Sequence, residues 1–203
     1  MLLIGITDIH GDVRALDRMN VELAAADLVV ACGDLTTFGD KQEAKRVVDE
    51  IRRRCKRLLA VPGNCDTKEC ILHLEEAGCS LHEKIQIVDG IAFVGLGGSL
   101  PCIGPTPTEF TETQIAEMLD HAAENLSADM PFVLVAHEPP LNTLLDNANN
   151  GGHVGSASVR SFIETRNPIL CLCGHIHESR ATDRINETKI ANPGPLRDGN
   201  YAR

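Results

Sequence analysis

The chain has 203 residues, 43% hydrophobic and 24% charged, which is enough to bury a real core, and we expect one domain over residues 1–203. A net charge of −10, from 29 acidic against 19 basic residues, excludes a dedicated duplex-DNA surface, because such a surface needs clustered Lys and Arg. With five Phe, one Tyr and no Trp, the core must be aliphatic and stacking platforms for single strands are scarce. Along the chain, "LLIGIT" reads as a strand and "DVRALDRMNVELAAA" as a helix. "DLVVAC" is a second strand, "DKQEAKRVVDEIRRRC" a helix and "RLLAV" a third strand, with a helix in "TKECILHLEEAG". "KIQIV" and "GIAFVGLGG" form a hairpin joined by "DG". After the Pro-interrupted loop 99–110, "TETQ" from Thr111 is a capping box that opens a helix. "PFVLVAH" and "PILCLCGH" are buried strands separated by a loop and the helix "SVRSFIETR". "SRATDRI" and "TKIANPG" read as a closing antiparallel pair. The pattern is an α/β layered domain, parallel at first and with β-pairs later.

Eight cysteines contain no CxxC pair, and no segment resembling a secretory leader precedes "MLLIGITD". Free thiols in a reducing cytoplasm fit this usage. No apolar run approaches the roughly 20 residues of a membrane span, so we expect no membrane partner. The basic run at 52–57 reads as a solvated helix end.

Five of the buried strands are each followed within about two residues by Asp, His or Asn. These are "DIHGD", "GDL", "GNCD", "HEPP" and "GHIHE". In open α/β sheets the crevice beyond the carboxyl ends of the strands is where ligands bind, so these groups should meet. Asp8, His10, Asp34, Asn64, His137, His175 and His177 offer oxygen and imidazole donors suited to Mn, Fe, Ni, Co or Zn. Seven donors are too many for one ion and suit two, with a carboxylate as the bridge. The D-x-H and H-x-H spacings suggest extended segments presenting both side chains on one side. Two divalent cations, two carboxylates and one hydroxide leave about one net positive charge in an acidic molecule, a focus for a small phosphate group. Metal-assisted hydrolysis of phosphate esters is the expected chemistry.

These blocks, in this order, resemble the calcineurin-like metallophosphoesterase family over nearly the whole chain. The resemblance implies a two-sheet α/β sandwich flanked by helices, here without a cap domain. By the same resemblance Asp8, His10, Asp34 and His177 hold one metal, and Asp34, Asn64, His137 and His175 the other, with Asp34 bridging. "NPG" (192–194) is similar to a late turn of small single-domain members.

Many relatives carry His where Cys65 stands, as general acid or transition-state stabiliser oriented by the following acidic residue, here Asp66. Its absence removes a proton donor and favours diesters or activated esters over monoesters. A thiol is a weak hydrogen-bond donor, and Cys65 reads chiefly as pocket wall. His153, in the Gly-rich stretch "NNGGHVGSAS" (149–158) before a helix suited to anions, is a candidate proton donor or phosphate contact. Arg160, His73, His82 and His121 read as surface residues, and Cys171 and Cys173 as small hydrophobes. The most consistent function is a phosphodiesterase of small phosphorylated compounds. The alternatives are a phosphomonoesterase or a metal-binding scaffold without catalysis, as in the retromer subunit of this fold.

Overall fold

The computed structural model describes residues 1–149 and 151–203. Strands β1 (Leu3–Ile6), β2 (Leu28–Cys32) and β3 (Leu58–Val61) form a parallel sheet in the order β1-β2-β3. The second sheet contains β4 (Lys84–Val88), β5 (Ile91–Leu96), β6 (Phe132–Ala136), β7 (Leu170–Leu172), β8 (Ala181–Ile185) and β9 (Thr188–Asn192). Its order is β4-β5-β6-β7-β9-β8, parallel through the centre and closed by an antiparallel pair at each edge.

Period-two alternation builds the layers. In β6, Val133 and Val135 face a core shared with Val30, Cys32 and Val61 of the first sheet, so the two sheets pack face to face. Phe132, Leu134 and Ala136 face the other way, onto α4 (Glu112–Ala122) and α5 (Ala157–Arg166) through Ile115, Leu119, Val159 and Ile163. On the far side of the first sheet, Ile4, Ile6, Val29 and Ala31 pack on α2 (Lys41–Arg52) and α3 (Lys68–Glu76). The result is a two-sheet α/β sandwich flanked by helices, with no cap domain inserted among the described residues.

Local signals explain most boundaries. Asp89 and Gly90 join β4 to β5 with φ of 50° and 81°, the geometry of a primed hairpin turn. Thr111 and Gln114 cap α4 reciprocally. The segment after β1 departs from the expected α-helix. Val13–Met19 is a 3₁₀ helix, and only Asn20–Ala25 (α1) is α-helical. Val13, Leu16 and Met19 recur every three residues, the repeat that aligns one face of a 3₁₀ helix.

Several side chains expected to lie free at the surface are buried or held in place instead. His73 lies on the buried stripe of α3 with Cys70 and Leu74. The His82 ring is largely enclosed; its Nδ1 accepts from Gly97 N at 3.0 Å, and the ring stacks on Phe110. Arg54 of the basic run is held by Asp17 and Glu50 instead of lying free in solvent. Arg160 donates to the carbonyls of Leu141 and Asn142 and so pins that loop.

Candidate metal centre

The carboxyl ends of β1, β2, β3, β6 and β7 deliver the expected residues to one rim. Asp8 and His10 follow β1, Asp34 follows β2, Asn64 follows β3, His137 follows β6, and His175 and His177 follow β7. The turns are stitched together by backbone bonds. Asp8 N donates to Gly33 O (3.1 Å), His10 N to Asp34 O (2.8 Å) and Gly174 N to His137 O (3.0 Å).

The segments are not extended, in contrast to what the D-x-H and H-x-H spacings suggest. Asp8, His10, Asp34 and His175 adopt left-handed φ of 52°, 49°, 51° and 69°. Each such residue costs on the order of 1 kcal/mol, so concentrating four at one rim is strain that the surrounding fold must hold. Close approach is enforced by glycine at Gly63, where a Cβ would meet Asp34 Oδ1 at 2.0 Å.

The donors converge in two overlapping groups. His137 Nδ1 lies 2.8 Å from Cys32 O, a bond that requires the proton on Nδ1 and leaves Nε2 with a free lone pair. That nitrogen, fully buried, sits 3.0 Å from Asn64 Oδ1 and 3.5 Å from Asp34 Oδ1. Asn64 Nδ2 donates to Thr106 Oγ1 at 3.2 Å, which fixes the amide with its oxygen toward His137. Three lone pairs thus meet in a buried space. On the other side, His10 Nε2 is 3.2 Å from His177 Nε2 and 3.6 Å from Asp34 Oδ2, and His177 Nε2 is 3.3 Å from Asp8 Oδ1. Asp8 Oδ2 is buried without a hydrogen-bond partner. Unpaired, buried acceptors are costly unless a cation satisfies them, so the donor set fits divalent metals. Asp8 with His10 and His177, and Asp8 with Asp34 and His137, each place donor atoms within 4.8 Å of one another. So do His10, Asp34 and Cys65.

Titration follows the same geometry. Burial lowers His10 against the pull of Asp34 and Asp8, and lowers His175 to about 4. His177 is raised by its hydrogen bond to Asp8. Burial opposes ionisation of Asp8, but His177 and the neighbouring imidazoles outweigh it and hold the carboxyl below its usual range. Both deep imidazole and carboxylate are therefore in ligand form at neutral pH.

The remaining candidates stand in different relations to this cluster. Asp66 is fully buried and accepts from the backbone of Gly63, Leu35 and Thr36, clamping the β2 and β3 turns together. Cys65 donates its backbone N–H to Asp34 Oδ1 (2.8 Å), and burial pushes its thiol up. His153 Nδ1 lies 2.8 Å from Asp146 Oδ1, within its own loop. Asn150 of that Gly-rich stretch lies outside the described residues. The N-terminus of α5 is not open to a phosphate, because the Glu112 carboxylate already accepts from Ala157 N and Ser158 N. Sequence reasoning missed Thr106, Cys102 and Glu138. Cys102 Sγ is 3.8 Å from His175 Nε2, and buried Glu138 accepts from Leu100 N at 3.0 Å. The only signal for the first two was their place in the Pro-interrupted loop.

Comparison with known proteins agrees with this geometry. Residues 1–179 match the family model described as calcineurin-like phosphoesterase. The chain is 40% identical over 199 residues to the uncharacterized protein MJ1162 of Methanocaldococcus jannaschii, covering 96% of this chain and 88% of that protein. It is 25% identical over 212 aligned positions to the glycerophosphodiester phosphodiesterase GpdQ of Enterobacter lignolyticus, covering 98% of this chain and 73% of that protein. Among solved structures it resembles TT1561 of Thermus thermophilus, with a TM-score of 0.78, 20% identity, and 97% and 90% of the two chains covered. It also resembles the phosphopantetheinyl hydrolase PptH of Mycobacterium tuberculosis, with a TM-score of 0.73, 16% identity, and 97% and 90% coverage. A rim of strand ends that gathers metal-ligand donors, and a family match over most of the length, make this chain a member of the calcineurin-like phosphoesterases, metal-dependent hydrolases of phosphate esters.

Proposed function

We propose that this chain hydrolyses small phosphodiesters at a dinuclear metal centre. Asp8, His10, Asp34 and His177 hold one divalent cation, and Asp34, Asn64, His137 and His175 hold the other. The observation that carries this reading is the meeting of lone pairs from His137, Asn64 and Asp34 in a buried space. Two bound cations supply Lewis-acid polarisation of the phosphoryl oxygens and a nucleophile from water at neutral pH. The chain's own residues set the geometry. Cys32 O fixes the His137 tautomer, Thr106 fixes the Asn64 amide, and Asp66 holds the two turns in register.

The preference for diesters is supported by two observations. Position 65 offers a thiol, a weak donor, where a strong proton donor to the leaving group is expected. One relative carries the name of a glycerophosphodiester phosphodiesterase. His153 is the remaining candidate donor. Asp146 holds its Nδ1, and Ser179 Oγ donates to Asn147 O (2.6 Å), docking this loop on the segment after His177.

A metal-reconstituted screen tests the proposal with p-nitrophenyl and alkyl diesters, cyclic nucleotides and monoesters. The p-nitrophenyl diester is expected to turn over fastest, with alkyl diesters slower because their poor leaving group depends on the proton donor. His153→Ala should depress the alkyl substrate by about 10²-fold and the p-nitrophenyl substrate less. A preference for monoesters, or equal rates for the two diesters, contradicts the reading. An unchanged alkyl to p-nitrophenyl ratio in the variant removes His153 from the reaction.

A further inference from the structure

Two thiols stand at the metal centre, and the chemistry derived above uses neither as a ligand. The other cysteines are spread through the packed interior. Cys32, Cys70, Cys79, Cys171 and Cys173 are fully buried in the cores, with the Cys70 thiol donating to Asp66 Oδ1 (3.4 Å), and Cys55 packs against the core beneath the first sheet. Cys65 and Cys102 differ. Their sulfurs flank one group, the Asn64 amide, at 3.7 and 3.9 Å from Nδ2.

Each sulfur also reaches a different half of the centre. Cys65 Sγ lies within 4.8 Å of donor atoms of His10 and Asp34, which are themselves that close to each other. Cys102 Sγ lies 3.8 Å from His175 Nε2. Metal–sulfur and metal–nitrogen bonds of about 2.3 and 2.0 Å put two donors of one ion roughly 3–4 Å apart. The Cys102–His175 separation falls within that range. Neither thiol is placed by chance. Cys65 is anchored through its backbone N–H to Asp34 Oδ1. Cys102 N donates to Glu109 Oε1 (3.3 Å), the oxygen that also accepts from Thr106 N and Oγ1. Glu138 holds the preceding Leu100 N. The loop that carries Cys102 is therefore tied down at three points beside His175.

We propose that Cys65 and Cys102 each add one thiolate to the dinuclear centre, Cys65 to the ion held with His10 and Asp34 and Cys102 to the ion held with His175. This rests on the dinuclear reading given above. On binding, each S–H proton leaves to solvent water and a sulfur–metal bond forms, with no change in oxidation state. A mixed sulfur, nitrogen and oxygen set favours Zn and Co over Mn and Mg.

Cobalt(II) reconstitution of the full chain tests this by absorption spectroscopy. The wild type is expected to bind two equivalents and to show a near-ultraviolet sulfur-to-cobalt charge-transfer band beside the visible d–d bands. Cys65→Ser and Cys102→Ser should each weaken the charge-transfer band, and the double variant should lose it while keeping the d–d bands. In the same variants the Zn to Mn affinity ratio should fall on the order of 10-fold to 100-fold. Two bound cobalt ions with d–d bands and no charge-transfer band in the wild type overturn the thiolate assignment and leave the metal centre standing. Failure to bind cobalt at all overturns the dinuclear reading and the thiolates with it. The wild-type spectrum decides the matter even if a serine variant does not fold.

Discussion

Thr106 shows how the proposed centre relies on residues that orient its donors. Its hydroxyl accepts from Asn64 Nδ2 and donates to Glu109 Oε1 at 2.6 Å, so the amide oxygen has one orientation available. Thr106→Val removes that hold without changing the side-chain volume much. Affinity for the ion proposed to sit with His137 and His175 should fall about 10-fold to 100-fold, measured by chelator competition, with the fold unchanged by circular dichroism. Unaltered affinity would remove Thr106 from the site. That these seven side chains meet at one rim was legible in the sequence because buried apolar runs announce the strands and the polar residue follows at once. Thr106 and Cys102 were not, because the Pro-interrupted loop has no period from which a side-chain direction can be read. The backbone conformation at the rim is equally hidden. Left-handed φ at Asp8, His10 and His175 arises from tertiary constraint, which spacing alone does not encode.

At the level of elements, the contact between the two helices beneath the second sheet is electrostatic at its end. Glu112 in the first turn of α4 accepts from Ser156 Oγ (2.7 Å), Ala157 N (2.8 Å) and Ser158 N (3.0 Å) at the start of α5. Burial opposes its ionisation, but these bonds outweigh it and hold the carboxyl below its usual range. A carboxylate in this place stabilises the helix N-terminus by about 1–2 kcal/mol. Because the folded pKa is depressed, this stability is fully present above the ordinary Glu value of about 4.3 and is lost as pH falls through the folded value. Glu112→Gln should therefore lower the melting temperature at neutral pH, with the gap to wild type closing in acid. A gap that stays constant from neutral to acidic pH contradicts the assignment. Thr111 and Gln114 announced the start of α4 directly, whereas the partnership of Glu112 with α5 joins positions more than forty residues apart and leaves no local mark. The same limit applies to Val13–Met19. A repeat of three is compatible with both helix types over so short a span, and packing on the first sheet decides between them.

On the scale of the whole molecule, layering brings the chemistry together. Parallel strands in both sheets point their carboxyl ends to one rim, and face-to-face packing of the sheets brings Asp34 of one within 3.5 Å of His137 from the other. The layered α/β order was readable from the alternation of strands and helices, the two-sheet sandwich followed from the family resemblance, and the first antiparallel pair of the second sheet was marked by its Asp-Gly turn. That the two sheets share one core through Val30, Val61, Phe93 and Val135 required the structure, since a buried strand reads the same whichever sheet it joins. No helix among the described residues is long and apolar enough to cross a membrane. The central claim is that this inter-sheet junction is a dinuclear centre built around Asp34, and elemental analysis of metal-reconstituted, desalted protein tests it most directly. Two equivalents of tightly held transition metal are predicted in the wild type, with fewer in Asp34→Asn. Retention of one equivalent or none by the wild type, or an undiminished pair in Asp34→Asn, would contradict the account.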